Sequence, residues 1–351
     1  MNKAEQDLTT VAIAQKRTFG VEDEKFYERH APLVNRLALY GVQGVALRGA
    51  EDRDHDRLFS THYQFDDRDS ALNKVSEPLQ VHAAFDLTGG IARYTPAVAA
   101  LNPLGVREVA LSKQLQYDTL STELGEAVPT TVTTGVSKEE VTDALEAFDK
   151  ETVIVKPTPD LEKKYGMLIG SKSDITSKLD DFISGLGPKV NHVLVQEYMP
   201  EVESTFADGI RYFDDTERAI ADARPHLGRE LRVHTIDTRP VLVTGRVGLN
   251  AVSRSLDDEW VHLDADSIPS HIHSLAATAS KLIQNSAQAQ DSYLAVDLTP
   301  DGRRIIEVNG RNIGTMRANS DRKGSLRAHD VITDELAQKL ANMARNNRGN
   351  N

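Results

Sequence analysis

The chain of 351 residues contains no cysteine. That excludes disulfides, thiolate metal sites and a cysteine nucleophile. Basic residues are in deficit, 41 Lys and Arg against 53 Asp and Glu, for a net charge of -12. A non-specific nucleic-acid surface needs a basic stripe, so that class is set aside. No apolar run is long enough to span a bilayer. The opening "MNKAEQDLTTVAIAQKR" has neither an apolar signal core nor a cleavage signature. The motifs G-x-G-x-x-G, G-x-S-x-G and H-E-x-x-H are also missing. What is there is an ordinary globular balance, 39% apolar and 27% charged, at a length that suits two or three lobes. The expectation is a soluble cytoplasmic protein with no nucleic-acid or membrane partner.

The first hundred residues mix helix and strand patterns. "DEKFYERHAPLVNRLALYG" reads as a helix stopped at Gly41, followed by the strand "GVALRG". Acidic residues 51–70 read as irregular, and "VHAAFDLTGG" as a strand running into a Gly-Gly turn. Beyond Leu101, "SKQLQYDTLSTELG" is a helix, "VPTTVTT" a strand, and "SKEEVTDALEAF" a helix with a Ser137/Glu140 capping box. "ETVIVKP" and "HVLVQEYMP" read as buried strands separated by a polar loop and a helix near residues 174–185. Residues 201–228 read as an acidic insertion. "RELRVHTID" and "PVLVTGRVGL" form a hairpin, and helices "SLAATASKLIQNSAQ" and "DVITDELAQKLANMA" frame a second hairpin.

That second hairpin, "SYLAVDL-TPDG-RRIIEVN", carries the chemistry. Pro300, Asp301 and Gly302 suit a three-residue loop with Gly302 in the left-handed region, which would pair Asp297 with Ile305. Strand alternation then places Tyr293, Asp297, Glu307 and Asn309 on one face. Leu294, Val296, Leu298, Ile306 and Val308 occupy the other. Asp297 and Glu307 would be diagonal neighbours roughly 7–8 Å apart, within reach of a common ion. Two carboxylates and an amide oxygen, without His or Cys, suit Mg²⁺ partly held by phosphates. The plainer reading is a polar outer face beside a turn.

Lys156 ends "TVIVK", where a lysine can reach a phosphate as a point charge or simply be solvated. The loop after it, with Lys163, Lys164, Tyr165 and Gly166, has backbone amides to offer phosphates. "LVQEYMP" ends a strand whose backbone can pair with an adenine edge. His271 and His273 read as solvated or capping residues rather than metal ligands, and Trp260 as a packing residue.

In order and spacing, "NPLG", "SKQLQYDTLSTELGEAVPTT", "VIVKP", "VQEYMP", "AVDL" and "IIEVNGRN" resemble the ATP-grasp superfamily. The nearest branch is that of glutathione synthetase and the ribosomal-protein glutamate ligases, and the resemblance covers roughly residues 100–345. It implies an α/β (α+β) ATP-grasp fold. Residues 1–105 would form an N-terminal α/β pre-ATP-grasp substrate lobe and 106–197 the small lobe. Residues 198–345 would form the C-terminal lobe with the metal site, ahead of a disordered tail at 346–351.

The resemblance also implies roles. Lys113 and Lys156 would contact ATP phosphates, and Gln196, Glu197, Tyr198 and Met199 would line the adenine hinge. Glu203 or Glu230 would hold the ribose. Arg232 and Arg246 would act on the γ-phosphate and the acyl phosphate. Asp297, Glu307 and Asn309 would hold Mg²⁺, two ions or Mn²⁺ in their place, and Arg311 and Asn312 a substrate carboxylate. The implied activity is an ATP-dependent carboxylate–amine ligase. A carboxylate takes the γ-phosphate, and an amine then displaces it to leave an amide, ADP and phosphate. The expected partners are amino acids or short peptides, with room for a homo-oligomer. An ATP-grasp phosphotransferase and a non-catalytic ATP-binding protein are the alternatives.

Overall fold

The computed structural model describes residues 8–14, 23–48, 53–87, 91, 93, 95–158, 165–199, 228–247, 259–310 and 325–349. Within these residues lie eighteen strands, arranged in four sheets, and seven α-helices.

The N-terminal sheet has the order β6-β5-β2-β1-β8-β9. Its strands are β1 (Thr10–Ala14), β2 (Gln43–Leu47), β5 (His62–Asp66), β6 (Ala71–Val75), β8 (Ala83–Asp86) and β9 (Ala99–Leu101). A small sheet of β3 (Arg53–His55), β4 (Leu58–Phe59) and β7 (Leu79–Gln80) lies beside it. Four of the larger sheet's strands are parallel, with β1 between β2 and β8. "TVAIA" is buried at every position, as a central parallel strand must be. Helix α1 (Asp23–Leu39) returns the chain from β1 to β2. The acidic stretch 51–70, expected to be irregular, instead supplies β3 to β5, and β6 follows directly. Its alternation is hidden because these short strands are half-exposed and rich in Asp, Arg and Gln.

Helices α2 (Leu104–Leu111) and α3 (Lys113–Leu124) come next. A four-stranded antiparallel sheet follows, in the order β10-β13-β11-β12. It consists of β10 (Thr131–Thr134), β11 (Thr152–Thr158), β12 (Leu168–Ser171) and β13 (His192–Glu197), with α4 (Lys138–Ala147) and α5 (Lys172–Gly185) on one face. The capping box opens α4 as read, Ser137 Oγ accepting from the Glu140 N–H and Glu140 Oε2 from the Ser137 N–H. The expected lobe 106–197 divides. Residues 131–197 build this sheet, whereas Val106, Val109, Tyr117 and Leu120 of α2 and α3 pack into the core of the next one.

That next sheet is antiparallel, order β16-β15-β14-β17-β18. Its strands are β14 (Gly228–Ile236), β15 (Arg239–Val247), β16 (Glu259–Leu263), β17 (Tyr293–Leu298) and β18 (Ile305–Asn309). One face packs on α2, α3 and α6 (Ser270–Ser286) through Val233, Val243, Leu294, Val296 and Val308. On the other, Ile236, Leu242, Tyr293 and Ala295 join a core shared with β1, α1 and α7 (Ser325–Arg348). Helix α7 continues to Arg348, into the segment expected to be a disordered tail, of which residues 350–351 lie outside those described. Its last residues are anchored, with Asn347 donating to the carbonyls of His82 and Ala97, and Arg348 to Thr9 Oγ1. Among the described residues no helix is long and apolar enough to cross a membrane. Residues 201–227 of the expected insertion lie outside those described.

Candidate active site

The turn between β17 and β18 keeps one expected feature and departs in its length. Gly302 is left-handed at φ +67, and its N–H donates to the Thr299 carbonyl at 2.8 Å. A Cβ at Gly302 would collide with Ile272, so the position admits glycine on two counts. The register differs from expectation. Thr299 N–H donates to the Arg304 carbonyl, closing a four-residue loop, and Leu298 faces Ile305. Alone, that loop would set Asp297 opposite Ile306 and split the carboxylates between faces. A one-residue bulge at Ile306 restores them, so Asp297 faces Glu307 directly. The core position falls to Ile305, fully buried, rather than to Ile306.

The sheet lines up a polar row on this face. Arg232 of β14 lies directly opposite Asp297, as Asp297 lies opposite Glu307. The guanidinium is bidentate on the carboxylate, Nε to Oδ1 at 2.6 Å and Nη2 to Oδ2 at 2.7 Å. Asn309 Nδ2 donates to Asp297 Oδ2 and to Glu307 Oε1, both at 2.9 Å. Lys113 enters from the first turn of α3, where the Ser112 hydroxyl caps the helix, and its Nζ is 2.5 Å from Glu307 Oε2. Glu230 lies 3.9 Å from Arg232. Lys113, Glu230, Asp297 and Glu307 are all at least nine-tenths buried. Burial pushes the Asp297 carboxyl up, against the lowering pull of Arg232. Burial also works against the charge of Arg232, yet Asp297 first, then Glu230 and Glu307, hold its pKa above the ordinary value.

His234, two residues along β14, is fully buried, with Nδ1 3.3 Å from the Tyr293 hydroxyl. Desolvation, then the charges of Arg232 and His262, hold its pKa well below the ordinary imidazole value. It is neutral at physiological pH.

Among the described residues no group of three or more His, Cys, Asp or Glu gathers as a metal site. The candidate rests on two carboxylates and one amide meeting within hydrogen-bond reach. This donor set suits a hard cation that retains water. For Asn309 to serve as a ligand its amide turns over, presenting Oδ1 where Nδ2 now points.

Three side chains that the sequence did not flag fix this hairpin from behind. Gln116 of α3, with no exposure, accepts from the Val308 N–H at 2.8 Å and donates to the Val308 carbonyl at 2.7 Å. It thereby acts as a one-residue strand on the free edge of β18. Tyr117 donates to the Ile306 carbonyl at 2.9 Å. Asn102 donates to the carbonyls of Tyr293 and Gly310 and accepts from the Tyr293 N–H. Their partners lie almost two hundred residues away, so no local pattern marks them.

Lys156 and Gln196 lie on the other sheet, on the face opposite its apolar core. Lys156 pairs in register with Leu194, and Ile154 with Gln196. Among the described residues Lys156 makes no ion pair, in contrast to Lys113. Glu197 ends β13 in a bidentate bond with Arg304, both contacts 2.8 Å, and that bond holds its carboxyl below the usual range. Tyr198 and Met199 follow, half-buried, with the Tyr198 N–H donating to the Thr152 carbonyl. Arg246 holds the register position opposite Glu230. Glu203, Arg311, Asn312, Lys163 and Lys164 lie outside the described residues. His271 and His273, within the first turn of α6, lie 3.3 Å from the Asp301 and Ala265 carbonyls respectively, without capping the helix.

No family model and no curated protein sequence matches the chain. Solved structures do. The ATP-grasp ligase PsnB, complexed with minimal precursor, Mg and ADP, aligns with a TM-score of 0.56 at 13% identity, covering 98% of this chain and 100% of that one. The macrocyclase MdnC bound with precursor peptide MdnA, from Microcystis aeruginosa MRC, gives 0.54 at 14% identity over 95% and 99%. D-alanine–D-alanine ligase from Bacillus anthracis complexed with ATP gives 0.54 at 13% identity over 98% and 100%. The sheet that carries Lys156 and the acid-bearing hairpin, aligned over nearly the full length of these three structures, establish that this chain has the ATP-grasp fold.

Proposed function

We propose that the protein is an ATP-dependent carboxylate–amine ligase that uses Mg²⁺ and forms an amide through an acyl phosphate. The observation that carries the reading is the convergence of Lys113, Arg232, Asp297, Glu307 and Asn309 in one buried cluster. Phosphoryl transfer asks for positioning and charge neutralisation rather than a side-chain nucleophile, and this cluster offers both signs of charge at fixed distances. Asp297, Glu307 and Asn309 would hold the cation, which supplies charge neutralisation at the phosphates. Arg232 and Arg246 would face the transferred phosphoryl group and Lys156 the phosphate chain, with Lys113 orienting Glu307. Residues 196–199 would receive the base, Glu230 or Glu203 the ribose, and Arg311 with Asn312 a substrate carboxylate.

The substrates fit amino acids or short peptides. Support comes from structural neighbours described as bound to precursor peptides, or named for joining D-alanine. The test is ATP turnover with pairs of amino acids and dipeptides. Amide product, ADP and phosphate are expected, with ADP release dependent on the amine. AMP and pyrophosphate would overturn the acyl phosphate, and ADP formed without any amine would mark a phosphotransferase.

A further inference from the structure

Two stretches of chain join the four-stranded sheet to its surroundings. Residues 125–130 lead into β10, and residues 197–199 leave β13. Arg304, in the loop between β17 and β18, grips both. Its Nη1 and Nη2 donate to the two Glu197 oxygens at 2.8 Å each, and its Nε donates to the Glu126 carbonyl at 3.0 Å. Glu197 in turn accepts from the Thr130 N–H through Oε2, and its own N–H donates to the Thr130 carbonyl. A solvated ion pair contributes little. This one is different in kind, with Arg304 28% and Glu197 13% exposed and each partner held by a further hydrogen bond. A planar fork on a carboxylate fixes angle as well as distance, which a lysine cannot do.

The same arginine belongs to the hairpin that carries the candidate metal ligands. Its carbonyl closes the loop onto Thr299, and Glu307 follows three residues later. We propose that Arg304 is a positioning residue: it clasps both hinge strands to the metal-bearing hairpin and so sets the separation between the base site at Glu197–Met199 and the carboxylates at Asp297 and Glu307. The proposal rests on the nucleotide reading above for its functional consequence, though not for the clasp itself. Without it, the four-stranded sheet still hangs from two stretches of chain but no longer at one angle. Binding of the base then includes the cost of fixing that angle.

Two measurements together test this. Calorimetry gives adenosine affinity for the wild type, Arg304→Met, Arg304→Lys, Glu197→Met and the Arg304→Met/Glu197→Met double variant. Amide hydrogen exchange over residues 125–134 and 193–199 reports the hinge without any ligand. Arg304→Met is expected to weaken adenosine about tenfold, as loss of one charge-assisted pair would, and to speed exchange in both stretches. Arg304→Lys should recover only part of each effect. The double variant should be no worse than the poorer single variant, because both remove one contact. Adenosine affinity within about twofold of wild type and unchanged exchange in Arg304→Met would overturn the clasp, as would additive losses in the double variant. A wild type that binds no adenosine, with exchange still faster in Arg304→Met, would overturn the nucleotide reading and leave the clasp standing.

Discussion

Gln116→Leu isolates one contact behind the hairpin. The side chain is fully buried, and leucine has nearly its volume, so the change deletes hydrogen bonds more than packing. Its amide pairs with both backbone groups of Val308 and also donates to the Ala110 carbonyl at 3.2 Å. Among the described residues β18 is an edge strand, and no other strand there pairs with the Val308 N–H and C=O. Each buried backbone group left unmet costs about 1–3 kcal/mol. Partial relaxation of the edge offsets some of this, and the expected loss is about 2–4 kcal/mol. Glu307 and Asn309 flank Val308, so the damage reaches the carboxylates. Half-saturation by Mg²⁺ should rise by about tenfold or more, in line with the loss of groups that orient ligands. Urea titration and Mg²⁺-dependence of nucleotide binding measure the two effects. A stability loss below about 0.5 kcal/mol, the range of an ordinary surface change, with Mg²⁺ dependence unaltered, would refute the view that Gln116 completes this strand.

Other perturbations separate the remaining roles. Glu307→Gln keeps the shape and an acceptor for Lys113 but removes a charge, so turnover should collapse while circular dichroism stays native; an active variant at ordinary magnesium would remove Glu307 from the ligand set. Lys156→Met should weaken ATP by about 10- to 100-fold, given about 1.5–3 kcal/mol for a charge-assisted bond, and leave adenosine unchanged by calorimetry. Equal ATP affinities would return Lys156 to the solvated face of its sheet. His234 is buried neutral, its folded pKa depressed below that of the unfolded chain. Its contribution to stability is therefore complete above about pH 6.5 and falls as pH drops below that value. His234→Asn should flatten the acid side of the stability profile. Parallel wild-type and variant profiles between pH 7 and pH 5 would show that the imidazole is not the titrating group.

Local patterns made most elements legible. The capping box at Ser137, the apolar strands around Lys156 and Gln196, and the turn at Pro300–Gly302 all rest on neighbours in sequence. Parity along the strands also placed Asp297, Glu307 and Asn309 on one face, although through a loop one residue too short. The loop and the bulge at Ile306 are compensating one-residue features, and only the backbone reveals both. β1 escaped notice because five buried residues with little alternation read as an ordinary N-terminal stretch. Gln116, Asn102 and Arg304 escaped because a polar residue's partner across the fold leaves no periodic trace. The pairing of Lys113 with Glu307 escaped for the same reason.

The end of α7 has a consequence for how the chain is made. Asn347 and Arg348 bond to His82, Ala97 and Thr9, and Leu336 and Leu340 complete the core beneath β1. From Leu101 to Ser325 lie roughly 220 residues, which a ribosome takes about ten to forty seconds to add at typical speeds. Throughout that interval the first sheet has been synthesised but lacks its covering helix, leaving Val11, Ile13 and Ala83 without their final apolar neighbours. The sheet built by residues 10–101 is thus finished only after the two sheets that follow it in the chain. Contacts closed over such separations slow folding and prolong exposure of parallel strand faces. Conditions that delay late synthesis should therefore lower the yield of folded protein by way of the first hundred residues.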